Sequence, residues 1–136
     1  VAQECGVRGA TDITGFGFLG HAAEMVEASG AGIDLRTQTL PLLDGALRLA
    51  EKGHFSGGMK RNKRHVEATL GSKRLSLHPS LSQPLVNLLF ESETSGGLLF
   101  SVEAARADTV IPRFKERAEP CWEVGEVTQE PGIRVH

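Results

Sequence analysis

Short helical and strand periodicities alternate along this chain, and glycines stand at most of the changeovers. That interleaving constrains the fold more than any other feature, because it calls for a sheet with helices packed on it. Phe18, Leu19, Ala22, Met25 and Val26 recur at helical spacing as far as Ser29, and Gly30 and Gly32 end the pattern. Ala31–Leu35 alternates toward a short strand with Ile33 and Leu35 on one face. A second helix fits Asp44–Lys52, stopped by Gly53, and another fits Ser82–Phe90, where Pro84 is tolerated only in the first turn. Leu98–Val102 is apolar on both faces and predicts a buried central strand. Glu103–Ala118 returns to helical spacing, with Pro112 marking a kink or restart. Trp122–Val127 and Ile133–Val135 alternate as two strands around Pro131-Gly132, and Val1–Cys5 fits a last helical turn closed by Gly6. His54–Ser76 has few apolar positions between Gly57-Gly58 and Gly71-Ser72 and reads as loops. The expected class is α+β, without internal repeats.

Size and charge narrow the function classes. The 136 residues fit one domain, and a domain of that length buries about two thirds of its unfolded surface. A net charge of −2 gives no general attraction to nucleic acid or to anionic membranes, and no apolar run approaches a membrane span. The start, Val1-Ala2-Gln3-Glu4-Cys5, lacks an initiator Met and a signal core, so it reads as a boundary inside a longer protein. Cys5 and Cys121 form no disulfide framework and no metal-ligand pattern, which favours ordinary thiols in a cytoplasmic protein.

Three segments could carry chemistry. Ala10-Thr11-Asp12-Ile13-Thr14-Gly15-Phe16-Gly17-Phe18-Leu19-Gly20-His21 is a Gly-rich turn opening onto a helix, where backbone N–H groups and the helix dipole favour an anion. Asp12 would repel a bare phosphate but bind the Mg²⁺ that accompanies one, and the Thr11 and Thr14 hydroxyls could cap the helix or contact phosphate. The plainer reading makes Thr14 an N-cap and Asp12 a turn residue. In Glu91-Ser92-Glu93-Thr94-Ser95-Gly96-Gly97, the paired glycines permit positive φ and close backbone approach, the geometry of an anion-binding nest. The alternative there is a plain loop-to-strand turn. Gly57-Gly58-Met59-Lys60-Arg61-Asn62-Lys63-Arg64-His65 places four cations in five positions, able to steer phosphates or simply to solvate a face. His21 and Glu24 share a helix face but are too few for a metal site.

The string ATDITGFGFLGHA at Ala10–Ala22 resembles the signature that opens the second domain of selenophosphate synthetases (selenide, water dikinases). The PLL at Pro41–Leu43, the GGMKRN at Gly57–Asn62, the ETSGGLL at Glu93–Leu99 and the VGEV at Val124–Val127 follow in the family's order, spanning nearly the whole chain. Two departures stand out: Glu91-Ser92-Glu93 replaces the frequent Asp-Pro before TSGG, and the basic run is fuller than usual. The resemblance implies the carboxy-terminal fold of aminoimidazole ribonucleotide synthetase, a mainly antiparallel sheet covered by helices, over residues 1–136, with the amino-terminal domain outside this chain. It implies a phosphotransferase with paired acceptors that makes selenophosphate, AMP and phosphate from ATP, selenide and water, working as a homodimer at full length. The catalytic Cys or selenocysteine, its Lys and the other metal-binding aspartates would lie outside this chain, leaving no catalytic residue here and an inactive isolated fragment. This half would supply Asp12 as a Mg²⁺ ligand, with Thr11, Thr14 and Gly15 shaping that wall and Thr94, Ser95, Gly96 and Gly97 lining the cleft opposite. The rival readings are another ATP-dependent enzyme of the same superfamily and a non-catalytic module binding anions or nucleic acid through Lys60–Arg64.

Overall fold

A computed structural model describes all residues, 1–136. Its strands are β1 (Gly9–Asp12), β2 (Gly32–Leu35), β3 (Leu75–Leu77), β4 (Leu98–Ser101), β5 (Gly125–Thr128) and β6 (Gly132–Val135). Its helices are α1 (Gly17–Ser29), α2 (Ala46–Glu51), α3 (Met59–Arg74), α4 (Gln83–Leu88) and α5 (Ala107–Glu116). The α+β class stands. The sheets are mixed rather than mainly antiparallel: a four-stranded sheet runs β3-β6-β2-β5, and β1 and β4 form a separate pair. Within the larger sheet β2 pairs antiparallel with β5 but parallel with β6, and β6 pairs parallel with β3. The two alternating strands at the chain's end are therefore not a hairpin; they straddle β2.

Register explains why one face of that sheet is dry. Ile33, Ile133 and Leu75 align across three strands, and Leu35, Val135 and Leu77 form the next row. Asp34, Arg134 and Ser76 fall between them on the opposite, polar face. A one-residue slip would send all six apolar side chains to water, so the pattern fixes the pairing. Helices α1 and α3 pack on each other and on the apolar face. They contribute Leu19, Ala22, Val26, Val66 and Leu70 to a core that also holds Phe90.

α1 ends as its sequence demands, with Gly30 in the left-handed region at φ 68° donating its N–H to the Val26 carbonyl. α3 is a correction. The stretch expected to be loops holds a helix of 16 residues, broken only by non-helical backbone at Gly71. Its buried stripe is Met59, Asn62, Val66 and Leu70, a helical period in which one core position is polar. The Glu103–Ala118 segment breaks earlier than Pro112, with a short 3₁₀ turn at Ala104–Arg106 before α5. The expectation of a buried central strand at Leu98–Val102 also fails. β4 has one neighbour, β1, and Leu98 is 63% exposed. Phe100 finds partial cover by stacking on Phe114 of α5 at 5.6 Å.

Candidate functional site

Two of the three segments meet on the β1–β4 ladder. Thr11 lies across from Leu99 and Asp12 across from Leu98. Beyond the strands the pairing continues: Ile13 donates to the Gly97 carbonyl (2.9 Å), Gly96 to the Ile13 carbonyl (3.1 Å) and Glu93 to the Thr14 carbonyl (3.0 Å). The Thr94–Gly97 loop therefore runs beside the Asp12 turn as one continuous wall, not across a gap from it. Gly96 is required by closeness, since an added Cβ would strike the Ile13 carbonyl and lie 2.7 Å from Glu93 Oε2. Neither Gly96 nor Gly97 has positive φ, and the Gly96 N–H is spent on Ile13, so this turn is not a nest of converging free amides. Thr94, Ser95, Gly96 and Gly97 are all exposed.

Strand alternation separates Thr11 from Asp12. Asp12 faces outward, exposed beside Leu98, and enters no ion pair. The Thr11 hydroxyl sits on the other face, 3.4 Å from His21 Nδ1. His21 is buried and spans Glu24, whose Oε2 lies 3.0 Å from Nδ1, and Thr14, whose Oγ1 lies 3.1 Å from Nε2. A carboxylate only accepts, so the proton facing Glu24 sits on Nδ1, and Nε2 pairs with the Thr14 hydroxyl. The Thr14 hydroxyl is thus engaged on the inner side by the His21 ring. Thr14 is not the N-cap either: Phe16 holds that place without a side-chain hydrogen bond, and the Thr14 carbonyl takes the Gly17 N–H at 3.0 Å.

The start of α1 is not an open anion cradle. Leu19 N–H donates to the Leu89 carbonyl at 2.9 Å, and Gly17 lies against the Phe90–Glu91 backbone. Gly15, by contrast, has open space around it and is exposed. Its carbonyl is where the remaining segment arrives. Asn62, 4% exposed, has its two Nδ2 protons among three acceptors, the Gly15 carbonyl (2.9 Å), the Phe90 carbonyl (3.0 Å) and, farthest, Ser92 Oγ (3.2 Å). Ser92 Oγ donates to the same Gly15 carbonyl at 2.8 Å, and Gly58 packs against Ser92 with no room for a Cβ. Asn62, Gly58 and Ser92 were not singled out from the residues alone. The signal that finds Asn62 is its place three residues after Met59 and four before Val66, on the buried stripe of α3.

Charges around the wall are unequal. Burial pushes the Glu93 carboxyl above its ordinary range, and nearby His21 pulls it back in part. Glu91 accepts from Ser56 N–H through Oε1 (2.9 Å), while its Oε2 is buried without a partner. Lys60, Arg61 and Arg64 are exposed, and none of the four cations of Lys60–Arg64 enters an ion pair. Of the run's neighbours, the His65 ring stacks on Phe16 at 6.3 Å. No group of three or more His, Cys, Asp or Glu side chains is placed to hold a metal, so Asp12 could be only one ligand of a shell completed elsewhere. Cys5 is buried, and burial followed by the charge of nearby Cys5 raises the Cys121 thiol above its ordinary range. No helix is long and apolar enough to cross a membrane.

The chain belongs to the family described as AIR synthase related protein, C-terminal domain, whose model matches residues 1–136. Curated proteins that it resembles include selenide, water dikinases. The protein of that name from Caldanaerobacter subterraneus subsp. tengcongensis is 38% identical over 86% of this chain and 32% of its own length. That from Nitratidesulfovibrio vulgaris is 37% identical over 93% of this chain and 35% of its own. Selenide, water dikinase 2 from Peptoclostridium acidaminophilum is 42% identical over 74% and 28%. The chain thus spans about a third of the length of these relatives. Among solved structures, thiamine-monophosphate kinase from Stenotrophomonas maltophilia shares the fold at 13% identity and TM-score 0.57, covering 95% of this chain and 31% of that one. E. coli HypE, a hydrogenase maturation protein, does so at 23% identity and TM-score 0.54, with the same coverage.

Proposed function

We propose that this chain is the carboxy-terminal domain of a selenide, water dikinase, which makes selenophosphate, AMP and phosphate from ATP, selenide and water. Within the whole protein, expected to be a homodimer, it supplies one wall of the nucleotide cleft. Asp12 is a Mg²⁺ ligand there, and Gly15 and Thr94–Gly97 form the surface that meets the phosphates. Thr11 and Thr14 shape that wall from behind, through His21. AaThiL, which shares the fold at 19% identity, has been solved in complex with AMPPCP and TMP, in keeping with a nucleotide-facing wall. The reading rests above all on Asp12: an outward carboxylate, free of ion pairs, at the place where two motif segments join.

The donor set fits one contributor to a Mg²⁺ site. Mg²⁺ is usually held by one or two carboxylates plus substrate phosphates and waters rather than by a full protein cage. When bound, the ion neutralises charge on the phosphate oxygens, which together with positioning is most of what phosphoryl transfer asks of an enzyme. Exposed Leu98 and Phe16 flank the wall and are read as surface covered by the rest of the protein.

Asp12→Asn in the full-length protein tests the assignment. The substitution keeps size and shape but removes a full charge, so the Mg²⁺ midpoint for AMP formation rises while the melting temperature holds. Mn²⁺ binding in the presence of AMPPCP, followed by electron paramagnetic resonance, weakens in parallel. Unchanged turnover at every Mg²⁺ concentration, with unchanged Mn²⁺ binding, ends the proposal.

A further inference from the structure

Asn62 carries an inference that deepens the reading above and rests on it. Buried polar groups are expensive unless their hydrogen bonds are made, and the amide nitrogen of Asn62 makes its bonds to other segments. Its amide nitrogen faces two backbone carbonyls, Gly15 at 2.9 Å and Phe90 at 3.0 Å. Carbonyls only accept, so the donor end must point at them, and the orientation of the side chain follows from the chemistry. Ser92 Oγ, at 3.2 Å, at most shares one of the two amide protons, and it donates its own to the Gly15 carbonyl at 2.8 Å. Gly58, just before α3, lies so close that an added Cβ would stand 2.2 Å from Ser92 Oγ.

The consequence is positional. Gly15 itself meets nothing within 4 Å of where a Cβ would stand, so packing does not hold this turn from outside. Its carbonyl is held from beneath by Asn62 and Ser92. The chain on either side is held by Gly17 against Phe90–Glu91 and by Ile13 against Gly96–Gly97. We infer that Asn62 is a positioning residue for the phosphate-facing turn: it ties the Gly15 turn and the Phe90–Ser92 corner to α3, and so sets where Asp12 stands relative to Thr94–Gly97. A displacement on the order of 1 Å at a reacting centre can cost about a hundredfold in rate, so loss of this tie reaches catalysis although Asn62 touches no substrate.

The experiment uses the full-length protein with Asn62→Ala, Ser92→Ala and the double variant. Hydrogen–deuterium exchange is read by mass spectrometry on peptides covering Gly15–Phe18, Leu89–Glu93 and Val66–Leu70. Asn62→Ala speeds exchange in the first two and leaves the third unchanged. In the same variant kcat for AMP formation falls about tenfold or more while KM for ATP changes less, as expected when geometry rather than binding is lost. Ser92→Ala does the same to a smaller degree, and the double variant loses less than the two single losses together, because both act on one carbonyl. If exchange rises evenly over all three peptides, or if kcat is unchanged while the Gly15 peptide loosens, Asn62 is a plain core residue and the inference is overturned. Should Asn62→Ala fail to fold, Ser92→Ala decides alone by the same two measurements. Absence of AMP formation from the parent protein would count against the dikinase reading only, since exchange at Gly15–Phe18 still shows whether Asn62 holds the turn.

Discussion

Gly17 and Gly30 bracket α1 and share nearly the same backbone, at φ 74° and 68°, yet their surroundings differ, and that difference gives a matched test. An L-residue in the left-handed region costs about 1–2 kcal/mol. At Gly30 an added methyl meets nothing within 4 Å, so Gly30→Ala loses that amount and no more. At Gly17 the methyl would stand 2.6 Å from the Glu91 carbonyl oxygen and 2.9 Å from the Phe90 carbonyl carbon. Those atoms are backbone and cannot rotate away, so the corner must shift, and overpacking of this kind adds about 1–3 kcal/mol. Gly17→Ala should therefore lose about 2–5 kcal/mol in all, the sum of the two terms. Urea unfolding of the 136-residue chain, compared at constant m-value, measures both losses. Equal losses at the two sites, or a larger one at Gly30, would refute the claim that residues 89–91 clamp the start of α1.

Two further outcomes follow from the charges. Glu93 binds its proton more tightly folded than unfolded, so its contribution is greatest at low pH and is lost as pH rises from the ordinary value of 4.5 through the raised folded one. Glu93→Gln should flatten that decline and be neutral to mildly stabilising at pH 7; a parent-minus-variant stability difference that stays flat from pH 4 to pH 7 rules it out. Replacing Lys60, Arg61 and Arg64 together by Gln should lower kcat/KM for ATP by up to about tenfold at low ionic strength, with the gap closing in high salt. A salt-independent difference would assign those cations to something other than long-range attraction.

Several elements were legible in the sequence because local chemistry alone decides them. α1 carries a sustained apolar period and a glycine in the left-handed region at its end, and Ser82 with Pro84 marks the start of α4. α3 was hidden by the residue that makes it matter: Asn62 occupies a core position, so the stripe Met59, Asn62, Val66, Leu70 looks broken and its cations look like a loop. The pairing of β5 and β6 with β2 instead of with each other depends on partners far apart in sequence, which alternation does not encode. Leu98–Ser101 has the composition of a buried strand, but composition says only that a strand can be covered on both faces, not that this chain supplies the cover. At the site, Asp12 was legible as a carboxylate beside a glycine turn. That Thr14 is bound inward to His21 was not, because it depends on the His21 ring reaching back seven residues to the turn.

The support around Asp12 comes from one side. A two-stranded sheet is marginal by itself, and the β1–β4 pair is stiffened by continued pairing through Ile13 and Thr14, by His21 on the Thr11 side and by Asn62 beneath Gly15. Each of these contacts spends a group on the inner side or along the ladder, and none spends a carboxylate oxygen of Asp12. Had Asp12 or Thr14 served to cap α1, a first-turn amide would be bonded to its side chain. The cap position is Phe16, without any side-chain hydrogen bond, and the Leu19 amide is taken by the Leu89 carbonyl instead. The capping role is thus filled by backbone, which leaves the Asp12 carboxylate with both oxygens uncommitted on a braced strand. A fixed donor whose position is maintained by its neighbours, and whose own lone pairs remain available, is what a ligand to an incoming ion requires.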